Sequence, residues 1–446
     1  MKRSISAFAV TTTLLLSPAG ASPMNDRAGA PVHSAAPESE APPATRDNWY
    51  WGPENRWSWH NMRRLFPTSQ VGRGDGPTVN LPSAPADLGR VAFVDPVSSR
   101  QMTIAQMLDA TDTDGFIVVR HGKVLFETYR NGMTRNDPHL LMSMTKSVTG
   151  ALAGILVDRG QLDLTRKVAD YVPEVSGTIY KDATVRELID MTVADPSRNA
   201  EVRAADFKGV DTAAGWLPPP PEGSLGLRAW LATMRRPTGQ NGRAFLYLTQ
   251  STTLAAWVME RATGRDFSRL LTDEIWSKLG AEQDAYMLLD GRQQAYASPG
   301  LNVTLRDMAR FGMMMKDGGR FNGRQIVPGT WIRDIREGGD PEVMARGRGS
   351  LSMFDQPMPG QDGETYRSFW WITGPQCGRF SANGLGGQLL IVDPAADVVA
   401  VKFTSSPNPA SGGTNTVTAA HGIDAIIASL TGRSCLRPST VQRTRR

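Results

Sequence analysis

The chain has 446 residues, of which 40% are hydrophobic and 21% are charged, and its formal net charge is +5. This composition is ordinary for a soluble globular protein, and the length allows one large domain or two ordinary ones. Basic residues are spread along the chain, with a tight cluster only in the tail RTRR at residues 443–446. Because no zinc-finger, basic-zipper or aromatic RNA-binding motif accompanies them, we expect no specific nucleic-acid partner.

The N-terminus has the layout of a secretory signal peptide. A positively charged start (MKR) precedes an apolar stretch over residues 5–16, and a small-x-small pattern (AGA) occupies residues 19–21. We therefore predict a signal peptide over residues 1–21, cleavage near Ala21, and export to the periplasm or the medium. The apolar stretch is too short for a spanning helix, and no later segment has a long uncharged apolar run, so no membrane span is expected.

Two segments precede the first predicted strands. Residues 22–47 are rich in Ala, Pro, Ser and Glu, a composition that buries little surface, so we predict a flexible leader. Residues 48–75 instead contain the aromatic residues Trp49, Tyr50, Trp51, Trp57, Trp59 and Phe66. We predict that this aromatic segment packs onto the main body, and a substrate-facing role for some of its rings is the alternative.

Strands are predicted at both ends of the remaining chain and helices in its middle. The β-branched and aromatic runs 116–120 and 123–129 flank His121-Gly122, which indicates a hairpin. Further strands are predicted at residues 369–373, 388–393 and 398–403, the last two as a second hairpin. Apolar periodicity, with Gly, Pro or Asn at the ends, predicts helices at residues 147–159, 184–191, 225–234, 251–263, 267–279, 305–316 and 416–430.

This order of elements predicts an α+β fold. One antiparallel sheet is built from both ends of the chain and is flanked by terminal helices, and a helical subdomain is inserted between them. We place the folded domain at residues 48–435, its sheet at about 90–140 and 365–432, and the helical subdomain at about 145–340. The cleft between the two parts is the expected ligand site.

Ser143 and Lys146 form an S-x-x-K motif at the start of an apolar helix. On a helix, residues i and i+3 share a face, so the lysine amine can reach the serine hydroxyl. A serine needs a neighbouring base to act as a nucleophile, and a lysine in a dry site loses its proton more readily. The helix N-terminus also favours a developing oxyanion near Ser143. An N-cap serine followed by an exposed lysine is the alternative explanation of this pattern.

Several ordered stretches extend this motif over much of the chain. They are GFIVVRHGKVLFETYRNG, LLMSMTKSVTGALAGILVDRGQLDLTRKVADYVPEV, TVRELIDMTV, AAGW, FLYLTQSTTLAAWVMERATGRDF, GLNVTLRDMARFGMMM and GLGGQLLIVDP. With them the sequence resembles the serine β-lactamase-like superfamily, which includes class C β-lactamases, DD-peptidases, related esterases and 6-aminohexanoate-dimer hydrolases. The resemblance spans roughly residues 48–432, is strongest to the last branch, and implies a β-lactamase/transpeptidase-like fold.

The resemblance also implies a second catalytic residue. Members of the superfamily have Tyr-x-Asn or Tyr-x-Ser before a long helix, and this chain has Tyr247-Leu248-Thr249. Tyr247 is thereby expected to hold or pass the proton of Ser143 and to protonate the leaving group, and core packing is its alternative role. Thr249 retains a hydroxyl but has no amide, so its hydrogen bond to a substrate is expected to differ.

The third motif of the superfamily, Lys-Thr-Gly or His-x-Gly, is replaced here by ANGLGGQ at residues 382–388. We predict that Asn383 lines the substrate site and that the N–H of Leu385 or Gly386 completes an oxyanion hole with that of Ser143; a tight turn into the next strand is the alternative. Without the lysine of that motif, efficient β-lactam hydrolysis is not expected. Trp216, in AAGW, matches a pocket residue of the aminohexanoate-dimer branch, and simple packing is equally open.

Cysteine and histidine usage indicates no metal centre. Cys377 and Cys435 either pair in an oxidising compartment or stay as buried thiols, and both possibilities are open. They are too few for a cysteine-based zinc site, and the five histidines show no HExxH spacing. We therefore predict neither a metal nor a cofactor.

These features predict an exported serine hydrolase that cleaves a small-molecule amide or ester through an acyl-enzyme on Ser143, with Lys146 and Tyr247 moving the proton. Two alternatives are a DD-peptidase or β-lactamase-type activity on cell-wall-like substrates and a catalytically silent, envelope-binding relative. The retained Ser, Lys and Tyr weigh against the silent relative. The sequence leaves the natural substrate and the oligomeric state open.

Overall fold

The computed structural model describes residues 44–194, 200–235, 239–347, 364–373, 377–408 and 411–436. The predicted signal peptide, and the predicted leader up to residue 43, lie outside these ranges. The last residues of the predicted leader contact the body of the protein. Ala44 is buried, and Arg46 Nε donates a hydrogen bond of 2.6 Å to the carbonyl of Leu65.

A seven-stranded antiparallel sheet forms the centre of the described chain, with the order β11-β12-β13-β14-β15-β4-β5. Its strands are β4 (Thr113–Arg120), β5 (Lys123–Tyr129), β11 (Thr365–Arg367), β12 (Trp370–Thr373), β13 (Arg379–Gly384), β14 (Gln388–Asp393) and β15 (Val398–Thr404). β4 from the first part of the chain pairs with β15 from the last part, with Ile117 opposite Val401. This confirms the predicted α+β fold, in which one sheet is built from both ends of the chain.

Both predicted hairpins belong to this sheet. His121 and Gly122 connect β4 to β5 with positive φ angles of 50° and 69°, the backbone that a tight two-residue hairpin requires. β14 and β15 form the second hairpin, and the segment between them contains Asp397, whose carboxylate contacts His121. His121 is therefore a turn residue of the first hairpin, as predicted.

A second, four-stranded antiparallel sheet was not predicted and lies partly within the predicted helical region. Its order is β1-β7-β8-β6, and its strands are β1 (Thr68–Val71), β6 (His139–Leu140), β7 (Ala285–Leu288) and β8 (Leu301–Val303). All four residues of β7 and all three of β8 are buried. Because such short strands are covered on both faces, they lack the alternation of apolar and polar residues that identifies a strand in a sequence. A separate two-stranded ribbon pairs β2 (Ala92–Val94) with β3 (Gln101–Thr103), and another pairs β9 (Arg320–Phe321) with β10 (Arg324–Gln325).

Helices cover the two faces of the central sheet. They are α1 (Asn55–Ser58), α2 (Ile104–Ala110), α3 (Met144–Asp158), α4 (Val168–Tyr171), α5 (Val185–Ile189), α6 (Ala200–Ala213), α7 (Leu227–Leu231), α8 (Thr249–Thr263), α9 (Phe267–Leu271), α10 (Ser277–Leu279), α11 (Leu305–Lys316), α12 (Gly329–Glu337), α13 (Pro341–Gly347) and α14 (Gly412–Thr431). α2 and α14 pack on one face, and α3 and α11 pack on the other. Within the described ranges, no helix has both the length and the apolar character needed to cross a bilayer.

The predicted helices are present, with different ends in several cases. The predicted 267–279 helix is one continuous run in which α9 and α10 are joined by the π-helical turn Thr272–Trp276. α6 was not predicted, since its sequence AEVRAADFKGVDTA contains a glycine and many polar residues. The buried apolar residues of this helix, Val210 and Ala213, belong to the same cluster as the aromatic segment and not to the clusters on the seven-stranded sheet.

The aromatic segment packs onto the body as predicted. Trp49, Trp59 and Phe66 are buried in one cluster with Trp216 and Tyr296. The Trp49 ring meets Trp216 edge to face at 4.9 Å, and its indole N–H donates to the Trp216 carbonyl at 3.1 Å. The segment thus becomes part of the wall near the predicted catalytic residues.

The two cysteines form a disulfide. Cys377 lies just before β13, and Cys435 follows the end of α14, with their Cα atoms 5.9 Å apart. The bond joins the last helix to the sheet that it covers. This resolves the open question from the sequence in favour of pairing.

Candidate active site

Ser143 and Lys146 lie at the start of α3. Ser143 occupies the N-cap position, and Lys146 is one turn into the helix, where it is 1% exposed. The lysine Nζ donates a hydrogen bond of 2.8 Å to Ser143 Oγ. A buried amine in contact with a partly accessible hydroxyl is the pairing that a serine nucleophile requires, because the amine can accept the proton once it is itself neutral.

The backbone before Ser143 turns sharply. Met142 has a positive φ of 49°, a conformation that L-residues rarely adopt, although its side chain is buried. The N–H groups of Met144 and Thr145 donate to the carbonyls of Leu141 and Met142. This turn lets the chain leave β6 and enter α3 with the serine at the helix N-terminus, where the helix dipole favours negative charge.

Tyr247 lies beside Lys146, although 101 residues of sequence separate them. Tyr247 lies two residues before the start of α8, and Lys146 Nζ is 5.1 Å from the centre of the tyrosine ring. The ring stacks on Trp371 of β12 with centroids 5.9 Å apart and meets Tyr366 of β11 edge to face. The structure therefore brings together the three side chains that were predicted to act together.

The segment ANGLGGQ at residues 382–388, called the glycine-rich segment below, lies against the turn that carries Ser143. β13 ends at Gly384, and a Cβ atom there would lie 2.6 Å from the carbonyl oxygen of Leu141. The following turn depends on positive φ angles of 83° at Gly386 and 101° at Gly387. Glycine is thus required both for the close approach and for the turn, which is what the tight-turn interpretation predicts.

Asn383 and Leu385 are the partly exposed residues of this segment. Asn383 Oδ1 is buried and has no hydrogen-bond partner among the described residues. A ligand reaches this unpaired acceptor at the end of β13 only if the partly exposed Asn383 side chain rotates toward solvent. Gln388, which follows the turn, instead pairs with the backbone of Thr404 in β15. Its side-chain N–H donates to the Thr404 carbonyl, and its side-chain oxygen accepts from the Thr404 N–H, which fixes the start of β14.

Thr249 and Trp216 were predicted to contact the substrate. Thr249 is the first residue of α8 and is partly exposed, two residues beyond Tyr247. Trp216 is 2% exposed and lies among the rings of Trp49, Phe66 and Tyr296. Its indole N–H has no hydrogen-bond partner within the described ranges, so the structure combines a packing role with one unpaired donor.

Asp211 is a buried acid near the site that the sequence did not indicate. It is on α6, and its carboxylate accepts hydrogen bonds from Tyr296 (2.6 Å) and Tyr50 (3.5 Å). Burial raises the pKa of Asp211 to about 7, although the two tyrosines and the charge of Lys146 act against this increase. An aspartate five residues before the AAGW tryptophan was the available signal, but its tyrosine partners come from distant parts of the chain.

The arrangement of nucleophile, amine, phenol and helix N-terminus suits acyl transfer. None of these four parts is a typical metal-ligand set, and the chemistry they support needs only proton transfer and oxyanion stabilisation. A separate group of His60, Asp114 and His139 has metal-ligand chemistry, and it includes none of the three predicted catalytic residues.

Comparison with known sequences gives a consistent family. The sequence profile of the family described as Beta-lactamase matches residues 103–422. A 6-aminohexanoate-dimer hydrolase from Paenarthrobacter ureafaciens is 34% identical over 388 residues, which are 86% of this chain and 94% of that protein.

Comparison with solved structures agrees. A Bacillus anthracis protein provisionally named 6-aminohexanoate-dimer hydrolase superposes with a TM-score of 0.77 at 29% identity, covering 88% of this chain and 99% of that one. The octameric penicillin-binding protein homologue from Pyrococcus abyssi superposes with a TM-score of 0.54 at 18% identity, covering 74% of this chain and 76% of the other. The second match shows a shared fold alone.

Proposed function

The chain belongs to the β-lactamase family, and from that premise we propose that it is a serine hydrolase that cleaves an amide or ester bond through an acyl-enzyme on Ser143. The observation that carries the proposal is the 2.8 Å contact between Lys146 Nζ and Ser143 Oγ at the N-terminus of a buried helix. A buried amine needs an acceptor in any case, so the informative feature is that this acceptor is a partly exposed hydroxyl at a helix N-terminus, directly after a residue with positive φ.

In the proposed first step, Ser143 attacks the carbonyl carbon of the substrate while neutral Lys146 accepts the hydroxyl proton. Tyr247, whose ring lies 5.1 Å from the amine, passes that proton to the leaving amine or alcohol. In the second step, water attacks the acyl-enzyme, the same pair takes its proton, and Ser143 is released with its hydrogen restored. The reaction uses only water as a co-reactant.

The oxyanion in both steps is proposed to be held by backbone N–H groups. One is that of Ser143, at the positive end of α3, and the other is that of Leu385 or Gly386. The close approach of Gly384 to the Leu141 carbonyl supports this assignment. It brings the glycine-rich turn next to the turn at residues 141–145 that carries Ser143, called the nucleophile turn below.

For the substrate class, we propose a small molecule with an amide bond between flexible chains. Support comes from the similarity to the Paenarthrobacter protein, which is named for hydrolysis of an aminohexanoate dimer and is matched over 94% of its length. The unpaired Asn383 Oδ1 supplies an acceptor for an amide N–H once its side chain rotates toward solvent. Export after cleavage near Ala21 is part of the proposal, and N-terminal sequencing of protein recovered outside the cytoplasm tests it.

A covalent probe tests the mechanism directly. We expect a fluorophosphonate to label the wild-type protein and Ser176→Ala, a matched change at an exposed serine, and not Ser143→Ala. Hydrolysis of amide dimers, short-chain esters and nitrocefin by the same three proteins identifies the bond that is cleaved. Labelling of folded Ser143→Ala at the wild-type rate would refute the assignment of Ser143 as the nucleophile. Rapid nitrocefin turnover would contradict the proposed substrate class and favour β-lactam-like substrates.

A further inference from the structure

Two histidines and an aspartate from three separate elements meet behind the nucleophile turn. His60 follows α1, Asp114 is in β4 and His139 is in β6. Asp114 Oδ2 lies 3.1 Å from His139 Nε2 and 3.6 Å from His60 Nε2. The aspartate and His139 side chains are fully buried, and that of His60 is 7% exposed. Three ligand-type atoms therefore converge in a space that bulk water does not reach.

The contacts around this group leave at least one of its inner atoms without a hydrogen-bond partner among the described residues. His139 Nδ1 is 2.9 Å from the carbonyl oxygen of Leu140, and Nε2 is 3.1 Å from Asp114 Oδ2. A neutral imidazole has one N–H, so it can donate to only one of these two acceptors, and donation to Leu140 leaves a lone pair on Nε2. That lone pair faces a carboxylate oxygen, which is also an acceptor. The Gln388 amide offers a competing donor to Nδ1, but at the longer distance of 3.5 Å. His60 Nε2 is buried without a hydrogen-bond partner among the described residues.

The outer atoms of the group are held as those of metal ligands are. His139 Nδ1 lies 2.9 Å from a backbone carbonyl, to which it donates in the tautomer that frees Nε2, and Asp114 Oδ1 accepts a hydrogen bond of 2.9 Å from Asn131. Such partners orient ligands and leave one imidazole nitrogen and one carboxylate oxygen directed inward. Lys402 is the nearby buried cation, but its Nζ donates to the carbonyl of Thr111 at 3.0 Å. No ion pair joins Lys402 to Asp114 among the described residues.

The two aspartate–histidine spacings match a tetrahedral zinc site. With metal–ligand distances of about 2.0–2.2 Å, two ligand atoms of a tetrahedron are roughly 3.3–3.6 Å apart. The observed pairs at 3.1 and 3.6 Å bracket this range, and all three inner atoms lie within 4.8 Å of one another. Two imidazoles with one carboxylate are a ligand set for divalent transition metals rather than for calcium or magnesium.

We propose that His60, Asp114 and His139 bind one divalent transition-metal ion of the zinc type, with water as the fourth ligand. The ion ties the aromatic segment to the strand that leads into Ser143. Leu140 N–H already donates to the Trp59 carbonyl at 2.9 Å, next to His60. The Trp59 ring in turn lies under Gly386, where a Cβ atom would be 3.0 Å from it. The ion contacts none of the three residues proposed to be catalytic, and its binding does not depend on the proposed hydrolysis.

Metal titration of the purified protein tests this proposal. After treatment with a chelator and dialysis, calorimetric titration with Zn²⁺ is expected to give one equivalent bound. At a hundredfold excess over the Kd, Zn²⁺ is expected to raise the Tm by about 3 °C. Co²⁺ in its place is expected to give the visible absorption of a nitrogen- and oxygen-coordinated ion. Absence of stoichiometric Zn²⁺ binding by the wild-type protein overturns the proposal and leaves a shared proton between His139 and Asp114.

Two histidine variants locate the site. His60→Gln removes a ligand that is less deeply buried than the other two and is expected to weaken Zn²⁺ binding by at least about 100-fold and to abolish the Tm shift. His121→Gln is the matched control, because His121 is an exposed histidine that also contacts an aspartate, and it is expected to bind as the wild type does. Circular dichroism verifies that both variants fold. Unchanged binding by folded His60→Gln overturns the site, whatever the wild type binds.

Discussion

At the scale of single residues, Tyr247 has two separable properties, its hydroxyl and its ring. The ring stacks on Trp371 and lies against the amine of Lys146, so Tyr247→Phe keeps the packing and removes the proton carrier. We expect kcat for an amide to fall by about 10²- to 10⁴-fold, the range of general acid–base catalysis. An ester with a good leaving group needs less proton donation and is expected to lose less. Steady-state kinetics on both substrates measures the difference, and an equal loss on both contradicts the role.

Asp211 makes stability depend on pH in a defined direction. Its pKa is raised to about 7 by burial, so the folded state holds a proton that the unfolded chain releases near its ordinary value of about 4. The stabilisation from this group is complete below that value and is lost as the pH rises through about 7, at up to about 1.4 kcal/mol per pH unit. Asp211→Asn is expected to lack this slope while keeping an acceptor for Tyr296.

Urea unfolding of both proteins between pH 4.5 and 7.5 measures that effect. The difference in unfolding free energy between wild type and Asp211→Asn isolates the group, because all other titrations are shared. If the difference in unfolding free energy between the two proteins stays constant from pH 4.5 to 7.5, the Asp211 carboxyl is not protonated in the folded protein.

At the scale of the elements, the approach of β13 to the nucleophile turn leaves no room for a side chain. Gly384→Ala would place a Cβ atom 2.6 Å from the Leu141 carbonyl oxygen, and neither backbone can move without shifting Ser143 or the glycine-rich turn. We expect kcat/KM to fall at least about 10-fold, since small misplacements of catalytic groups are costly. Gly291→Ala, at a position with nothing within 4 Å of the added atom, is the control. Wild-type activity in Gly384→Ala would argue against an oxyanion role for this turn.

The sequence predicts those elements whose signals are local. The first hairpin is marked by β-branched runs around His121-Gly122, and α3 is marked by a long apolar stretch, so both appear where they were predicted. β7 and β8 are missed because they are three or four residues long and buried on both faces. α6 is missed because it uses its few apolar residues against the aromatic segment, which a window of sequence does not include.

The same distinction holds for the site. Ser143 and Lys146 are one helical turn apart, so their spacing allows the contact, and the burial of Lys146 decides against the alternative of an exposed lysine. Tyr247 was predicted from the resemblance to the superfamily, and its position beside Lys146 depends on the packing of α8 against α3. Asp211, and the group of His60, Asp114 and His139, could not be predicted, because their partners are brought together only by long-range pairing of strands and helices.

At the scale of the whole molecule, the disulfide links two parts of the sequence 58 residues apart. A loop of that size gives a chain-entropy stabilisation of about 4 kcal/mol in the standard model. We therefore expect the double variant Cys377→Ser/Cys435→Ser to unfold at lower urea concentration and to retain its catalytic constants, because Cys377 precedes β13, whereas Gly384, beside the turn that carries Ser143, is at the other end of that strand. Wild type with and without a reductant provides the internal control, and coincident unfolding curves for all three samples contradict the expectation.

The pairing of β4 with β15 has a consequence for synthesis of the protein. While the ribosome is still adding the residues before β15, the partner edge of β4 has no strand to pair with, since Ile117 must wait for Val401. Unpaired edges of this kind attract other nascent chains, so an incomplete polypeptide is prone to aggregate rather than to accumulate as a half-built protein. Premature termination anywhere before the final hairpin is therefore expected to yield chains that chaperones and proteases remove, and α3, which packs on β13 and β14, is expected to become ordered only in a nearly finished chain.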